Sequence, residues 1–218
     1  MFAKDSGKKQ VITDKELNII LDWIKNNNSR HYYNENPNCK GYYVFTNSLG
    51  ILDKDIKDIV DAVRNRIIEN EGLVLEDTLE QPLELDDIIV IMPPGTKLHV
   101  HKDPNKEGTI QVRYNLLLQK PEKGGDAIYS GRRIDCDTGC YILCRAGLDY
   151  HAGTLIEGNL DRLLISYGFL IKEENIEKYP HIFMDIIKNK DCFLNSNKKL
   201  YTTNPYIIHK EGDHIERK

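Results

Sequence analysis

No window of the sequence approaches the roughly 20 apolar residues of a membrane span. The opening Met1-Phe2-Ala3-Lys4-Asp5-Ser6-Gly7-Lys8-Lys9 also lacks the apolar run of a signal peptide. A soluble, cytoplasmic protein is expected. Basic charge is not in excess either: 30 Lys and Arg face 34 Asp and Glu, for a formal net charge of -4 and a pI of about 6.0. With no electrostatic footprint for a polyanion, nucleic acid is not the expected partner. Cysteine is scarce and odd in number, at Cys39, Cys136, Cys140, Cys144 and Cys192. A chain of 218 residues folds without staples, so reduced thiols are expected. Cys136, Cys140 and Cys144 lack the close Cys-x-x-Cys knuckle and a fourth ligand for structural zinc, and read instead as small buried apolar side chains. No internal repeat is present, and no feature specifies an oligomeric state.

What is there suits one sizeable core: 40% of the residues are hydrophobic, and the length favours a single domain over residues 1–218. Residues 1–11 read as a flexible tail, and 12–86 as a helical support region. Thr13 and Glu16 form a capping box before Leu17, Ile20, Leu21 and Ile24 recur at helical spacing, which predicts a helix over 13–26. Tyr32, Tyr33 and the Tyr42-Tyr43-Val44-Phe45 run suggest a loop and a short strand; the two loop tyrosines read as core packing rather than a substrate lid. Asp53 or Asp55 caps a second helix with Ile56, Ile59, Val60, Val63 and Ile67 as its apolar stripe.

After Glu76 the period changes. Short β-rich runs at 87–92, 97–101, 109–118, 126–129, 139–144 and 160–171 alternate with turn signals such as Pro93-Pro94-Gly95 and Lys123-Gly124-Gly125. This pattern predicts a mainly β fold, a jelly roll over 87–171 supported by the N-terminal helices, with a C-terminal extension over 172–218 and a helix near 179–188. Gly124-Gly125 reads as turn chemistry rather than phosphate binding.

The chemistry is concentrated between Leu98 and Phe169. His101 and Asp103 lie two apart, so on a strand they share a face. His151 arrives from another strand, and Arg162, Leu164 and Ser166 share one face of the last strong strand. Two histidines and a carboxylate on one side of a metal leave three positions open, which suits Fe(II) with a chelating cosubstrate and dioxygen. A guanidinium beside an open metal position can receive the far carboxylate of a dicarboxylate. His99 could join His101 as a ligand, as in cupin sites richer in histidine, or act from behind it. Arg113, Asn115 and Leu117 alternate with Tyr114, Leu116 and Leu118; the polar set is expected to face the metal, with Asn115 on cosubstrate or substrate and Arg113 lining the pocket. His31, His181, His209 and His214 lie in polar segments and read as solvated.

The motifs Leu98-His99-Val100-His101-Lys102-Asp103, Tyr150-His151-Ala152-Gly153 and Asp161-Arg162-Leu163-Leu164-Ile165-Ser166-Tyr167-Gly168-Phe169, with Arg113 to Leu118 and Lys123-Gly124-Gly125 between them, resemble the 2-oxoglutarate and Fe(II)-dependent dioxygenase superfamily over about residues 87–171. The arrangement of turns is similar to its prolyl-hydroxylase-like branch, although members there often anchor the cosubstrate with lysine. The resemblance implies a double-stranded β-helix, with His101, Asp103 and His151 as catalytic iron ligands, Arg162 as the 2-oxoglutarate anchor, and Ser166 and Asn115 as helpers. Arg113 and His99 would be substrate contacts. It implies Fe(II), 2-oxoglutarate and dioxygen, admits ascorbate, and leads to hydroxylation of an unactivated C–H bond, on a prolyl or other amino-acid side chain or on a small molecule. Asp103 argues against a halogenase, where a small residue stands. Gly168, six residues past Arg162, argues against the nucleic-acid demethylases, which carry a second arginine there. Two rivals stay open: a cupin-like metalloenzyme that makes no use of 2-oxoglutarate, and a non-catalytic jelly-roll binding module.

Overall fold

The structure, a computed structural model, describes residues 7–27, 34–35, 42–45, 52–79 and 87–188. Its helices are α1 (Asp14–Asn26), α2 (Lys54–Glu71) and α3 (Pro180–Ile187). Its strands are β1 (Asn34–Glu35), β2 (Tyr42–Phe45), β3 (Thr78–Leu79), β4 (Ile88–Met92), β5 (Thr109–Gln119), β6 (Lys123–Gly124), β7 (Ala127–Tyr129), β8 (Arg132–Ile134), β9 (Tyr141–Cys144), β10 (His151–Gly153), β11 (Ile156–Glu157) and β12 (Arg162–Lys172). Among the described residues, no helix is long and apolar enough to cross a membrane.

The strands form an antiparallel seven-stranded sheet in the order β1-β2-β4-β12-β5-β9, with β3 also on β12. Beside it are a three-stranded sheet, β10-β7-β8, and the pair β11-β6. The protein is therefore mainly β with supporting helices. β12 sits at the centre because both of its faces are apolar enough to be covered: every residue from Leu163 to Ile171 is buried. One face carries Ile165, Tyr167 and Phe169. With Ile89 and Ile91 of β4 and Val112, Tyr114 and Leu116 of β5, they pack against Ile20 and Trp23 of α1, Val60, Val63 and Ile67 of α2, and Phe183 of α3. Full burial of each such side chain is worth about 1.5–3 kcal/mol, so this layer fixes the plane on which the opposite face is built.

The helices are held at their ends as well as along their stripes. Thr13 caps α1 in a reciprocal box with Glu16, and Glu16 also receives Arg66 of α2 at 2.6 Å. Asp53 precedes α2 but makes no side-chain cap; its carboxylate accepts the Trp23 indole N–H at 2.9 Å, joining the two helices. Arg64 of α2 reaches the sheet: it pairs with Asp87, which is 2% exposed, and lies over the Phe169 ring at 4.2 Å. Asp87 also accepts the Gly168 N–H at 3.1 Å.

Two expectations are corrected here. Residues 7–11 are not a flexible tail, because Gly7 N–H donates to the Tyr141 carbonyl at 2.9 Å, Gln10 bridges Cys140 and Val11 is buried. Residues 97–101 form no continuous strand. They run beside β10 through separate contacts, Gly153 N–H to the Leu98 carbonyl at 3.1 Å and a single two-way bridge between His101 and His151. Between these contacts stand His99 and Val100 on one side and Ala152 alone on the other, so the alternation of a regular strand is broken between Leu98 and His101. The calls on His31, Tyr32, Tyr33, His209, His214, Cys39 and Cys192 lie outside the described residues.

Candidate metal centre

The second face of the large sheet looks toward the smaller one. Register places Ser166 beside Asn115, Leu164 beside Leu117 and Gly168 beside Arg113, while β9 sets Cys144 beside Arg113 and Ile142 beside Asn115. The resulting polar row, Arg113, Asn115, Ser166 and Arg162, runs between two apolar patches. One is Ile88, Val90, Met92, Leu164 and Ile156; the other is Leu117, Tyr129, Cys136, Ile142 and Cys144. A bulge between Leu163 and Leu164 shifts the pairing with β5 just beside Arg162. Such an irregularity re-aims neighbouring side chains, and here Gln119 turns its amide to the Asp161 carbonyl at 2.8 Å.

At the end of the row nearest Ser166, three donors converge. His101 Nε2 is 3.4 Å and His151 Nε2 is 3.7 Å from Asp103 Oδ1, and one donor atom from each residue lies within 4.8 Å of the others. Among the described residues, no other group of three or more His, Cys, Asp or Glu does this. Strand parity does not produce the convergence. The backbone bridge between His101 and His151 brings the imidazoles together, and Asp103 is drawn in by its own N–H, which donates to the Ala146 carbonyl at 2.9 Å.

Each imidazole is oriented from behind by the same device. His101 Nδ1 lies 2.8 Å from the His99 carbonyl, and His151 Nδ1 lies 3.2 Å from the Asp149 carbonyl. A carbonyl only accepts, so Nδ1 carries a proton in each ring, and Nε2 is the nitrogen whose lone pair a metal would take in place of a proton. The Asp149 side chain is fixed in turn by Arg145 at 2.8 Å and Ser130 at 3.2 Å, and Arg145 also pairs with Asp185 on α3. His99 itself is exposed, and its ring is outside the donor group.

Electrostatics favours an ionised carboxylate beside the two imidazoles. Burial pushes Asp103 up, but the His101 hydrogen bond and the charges of Arg113 and the two histidines outweigh it and hold the carboxyl at about 2. Burial pulls His101 down, yet its bond to Asp103 leaves a net rise, whereas burial dominates at His151 and lowers it. One anionic oxygen and two imidazole nitrogens a few ångströms apart fit a dipositive ion that accepts mixed N and O ligands.

Arg162 stands at the other end of the row, four residues and about 13 Å along the strand from Ser166. Its Nη1 lies 3.5 Å from the Met92 sulfur, and Leu117, Gly125 and Cys136 line the narrow space beside it. A roomier cavity of about 290 Å³ lies on the helix face, between Leu21, Lys25 and Leu163, away from the donors. Asn115 donates to the Tyr129 hydroxyl at 2.9 Å. Ser166 accepts from Arg113 at 3.3 Å, and Arg113 Nε lies 3.5 Å from Asp103 Oδ2. Arg113 is thus turned toward a donor carboxylate and is 7% exposed. Burial raises the thiols of Cys136, to about 12, and of Cys140 and Cys144. All three are free.

Tyr129 is the residue that sequence reasoning passed over. It pairs directly with His151 in the small sheet, and their rings meet edge to face at 6.2 Å. The signal was the tyrosine two residues into the strand after Gly125-Asp126, readable only once β7 is known to pair with β10.

No protein-family model matches the sequence, and no curated protein matches it. Solved structures do match by shape. A prolyl-4-hydroxylase from Pseudomonas putida superposes with a TM-score of 0.56 at 14% identity, over 77% of this chain and 94% of that one. HygX from Streptomyces hygroscopicus, with nickel, 2-oxoglutarate and hygromycin B bound, gives 0.54 at 12% identity, over 76% and 83%. A prolyl hydroxylase from Trichoplax adhaerens, in complex with a peptide fragment of the hypoxia inducible factor oxygen degradation domain, gives 0.55 at 12%, over 76% and 82%. The chain has the fold of these proteins. The resemblance to the 2-oxoglutarate and Fe(II)-dependent oxygenases, with their prolyl-hydroxylase-like branch, is thereby borne out at the level of fold.

Proposed function

We propose that this protein is a 2-oxoglutarate- and Fe(II)-dependent oxygenase on a double-stranded β-helix, hydroxylating a C–H bond of an amino-acid side chain or a small molecule. The observation that carries this reading is the meeting of His101, Asp103 and His151 within 4.8 Å on a fold shared with prolyl hydroxylases and a 2-oxoglutarate complex.

In this reading His101 Nε2, His151 Nε2 and Asp103 hold the metal. The His99 and Asp149 carbonyls keep both rings in the ligating tautomer. Arg162 receives the far carboxylate of 2-oxoglutarate. The space beside it holds only about 10 Å³, so receiving a carboxylate requires its lining to move apart, in return for a charge-assisted bond to the guanidinium. Asn115, held by the Tyr129 hydroxyl, supplies a polar contact along the cosubstrate, and Ser166 a second. The apolar patches on both sides of the row exclude water, which strengthens every charge interaction inside. When bound, Fe(II) with 2-oxoglutarate and dioxygen supplies the oxidising chemistry, releasing succinate and carbon dioxide; ascorbate would serve as an auxiliary reductant.

The substrate classes are those the structural neighbours carry, a peptide in one and hygromycin B in another. The test is calorimetric titration of 2-oxoglutarate, without oxygen, into protein loaded with Mn(II) or left free of metal. Binding should require the metal and weaken about thirtyfold or more in Arg162→Ala, the lower end of the cost of removing a charge partner. Binding without metal, or indifference to Arg162, would overturn the reading.

A further inference from the structure

A carboxylate can offer a metal one oxygen or both, and the choice decides how many positions stay open. Asp103 approaches both histidines through Oδ1, at 3.4 Å and 3.7 Å. Its Oδ2 faces Arg113, whose Nε is 3.5 Å away. That guanidinium is itself held: Nη1 donates to Ser166 Oγ at 3.3 Å. With its amide in the orientation that satisfies both ends, Gln111 accepts from Arg113 Nε at 2.9 Å and Nη2 at 3.2 Å, and donates to the Pro104 carbonyl at 2.8 Å. Pro104 follows Asp103 in sequence, so the chain of contacts closes on itself. The cross-strand neighbours of Arg113 are Gly168 and Cys144. Neither crowds the face on which the guanidinium lies.

We infer that Arg113 is a positioning residue, neither substrate contact nor pocket lining: its charge lies against Oδ2 of Asp103 and draws that oxygen away from the metal, so that this carboxylate serves the metal through a single oxygen and a coordination position is kept for 2-oxoglutarate. The inference rests on the metal reading above. A fixed planar fork suits the task, because it holds an ion-pair partner and two hydrogen-bond partners in one plane. A flexible ammonium does not. The cost of burying the guanidinium is met by pairing and hydrogen bonds, the condition under which buried charge is tolerated.

The experiment uses the whole chain and Co(II), whose visible absorption reports its ligand set and geometry. Wild type, Arg113→Met, Asp103→Ala and the double variant are titrated with Co(II), and each loaded protein is then titrated with 2-oxoglutarate. In Arg113→Met the second carboxylate oxygen is released. That oxygen takes the place of one bound water, so the Co(II) spectrum should shift, Co(II) affinity should be retained, and 2-oxoglutarate affinity should fall about tenfold or more, the usual scale of a change behind a metal ligand. In the Asp103→Ala background, Arg113→Met should change nothing further. If Arg113→Met does not fold, Arg113→Lys carries the same test, since it keeps the charge but not the fork. An unchanged spectrum, or equal changes with and without Asp103, would overturn the inference while leaving the metal site standing. Failure of wild type to bind Co(II) would instead remove the metal reading itself.

Discussion

Gly124 and Gly125 offer a paired perturbation whose outcomes the structure separates. Both have positive φ, +73° and +67°, so alanine at either carries the left-handed penalty of about 1–2 kcal/mol. What a side chain would meet differs. A Cβ on Gly124 would stand 1.8 Å from the Leu155 carbonyl oxygen. That backbone cannot yield without opening the pair formed by β6 and β11, and it is also the acceptor for Gly125 N–H at 3.3 Å. Gly124→Ala should therefore cost more than about 4 kcal/mol, in the range kept for severe steric and backbone disruption. A Cβ on Gly125 would meet only side-chain atoms, Pro121 Cγ at 2.8 Å, Arg162 Cδ at 3.0 Å and Ile156 Cγ1 at 3.2 Å. These can move, so Gly125→Ala should cost about 1–2 kcal/mol and push Arg162 aside. Denaturant unfolding measures the first difference, and 2-oxoglutarate titration of metal-loaded protein the second. Equal stabilities for the two variants, or an undisturbed 2-oxoglutarate affinity in Gly125→Ala with metal affinity lowered instead, would refute this reasoning.

Other expectations are shorter to state. Arg64→Ala removes the guanidinium that pairs with buried Asp87, so stability should fall by about 3 kcal/mol or more in urea unfolding; a loss under about 1 kcal/mol would show that the pair does not anchor α2 to the sheet. Glu16, held at about 2 by the Arg66 hydrogen bond in spite of partial burial, has a folded pKa below its unfolded one. Its contribution is complete above about 4.5 and is lost as pH falls toward 2. Glu16→Gln should therefore flatten the acid limb of stability in that window and leave pH 7 to 8 unchanged in slope. Asp149→Asn loosens the Arg145 clamp behind His151, and metal affinity measured with Mn(II) should drop about tenfold, while 2-oxoglutarate affinity at saturating metal should hold.

The three residues that converge were legible in the sequence because a metal site needs rare residue types, and His101, Asp103 and His151 are such residues in one stretch. The route by which they meet was not. Strand parity was the argument for His101 with Asp103, yet their convergence depends on a single bridge to His151 and a hydrogen bond to Ala146, both contacts between segments distant in sequence. The facing of Arg113, Asn115 and Leu117 was readable, since an apolar alternative had to pack the core. The partner of Arg113 was not readable, because Asp103 reaches it from an irregular segment outside the strands. The Gly7 to Val11 segment looked free for the same reason: polar and rich in lysine, it is held by backbone bonds to residues 137–141 that no local pattern announces. Asp53 illustrates a third case, in which a residue suited to capping its own helix is recruited by Trp23 of another.

The measurement that bears most directly on the central claim is release of succinate from 2-oxoglutarate, without added substrate, by the purified chain under air with and without Fe(II). The account predicts succinate only when Fe(II) is present, lost in Asp103→Ala and strongly reduced in Arg162→Ala. No succinate release under either condition, or release indifferent to the metal or to both residues, would contradict it.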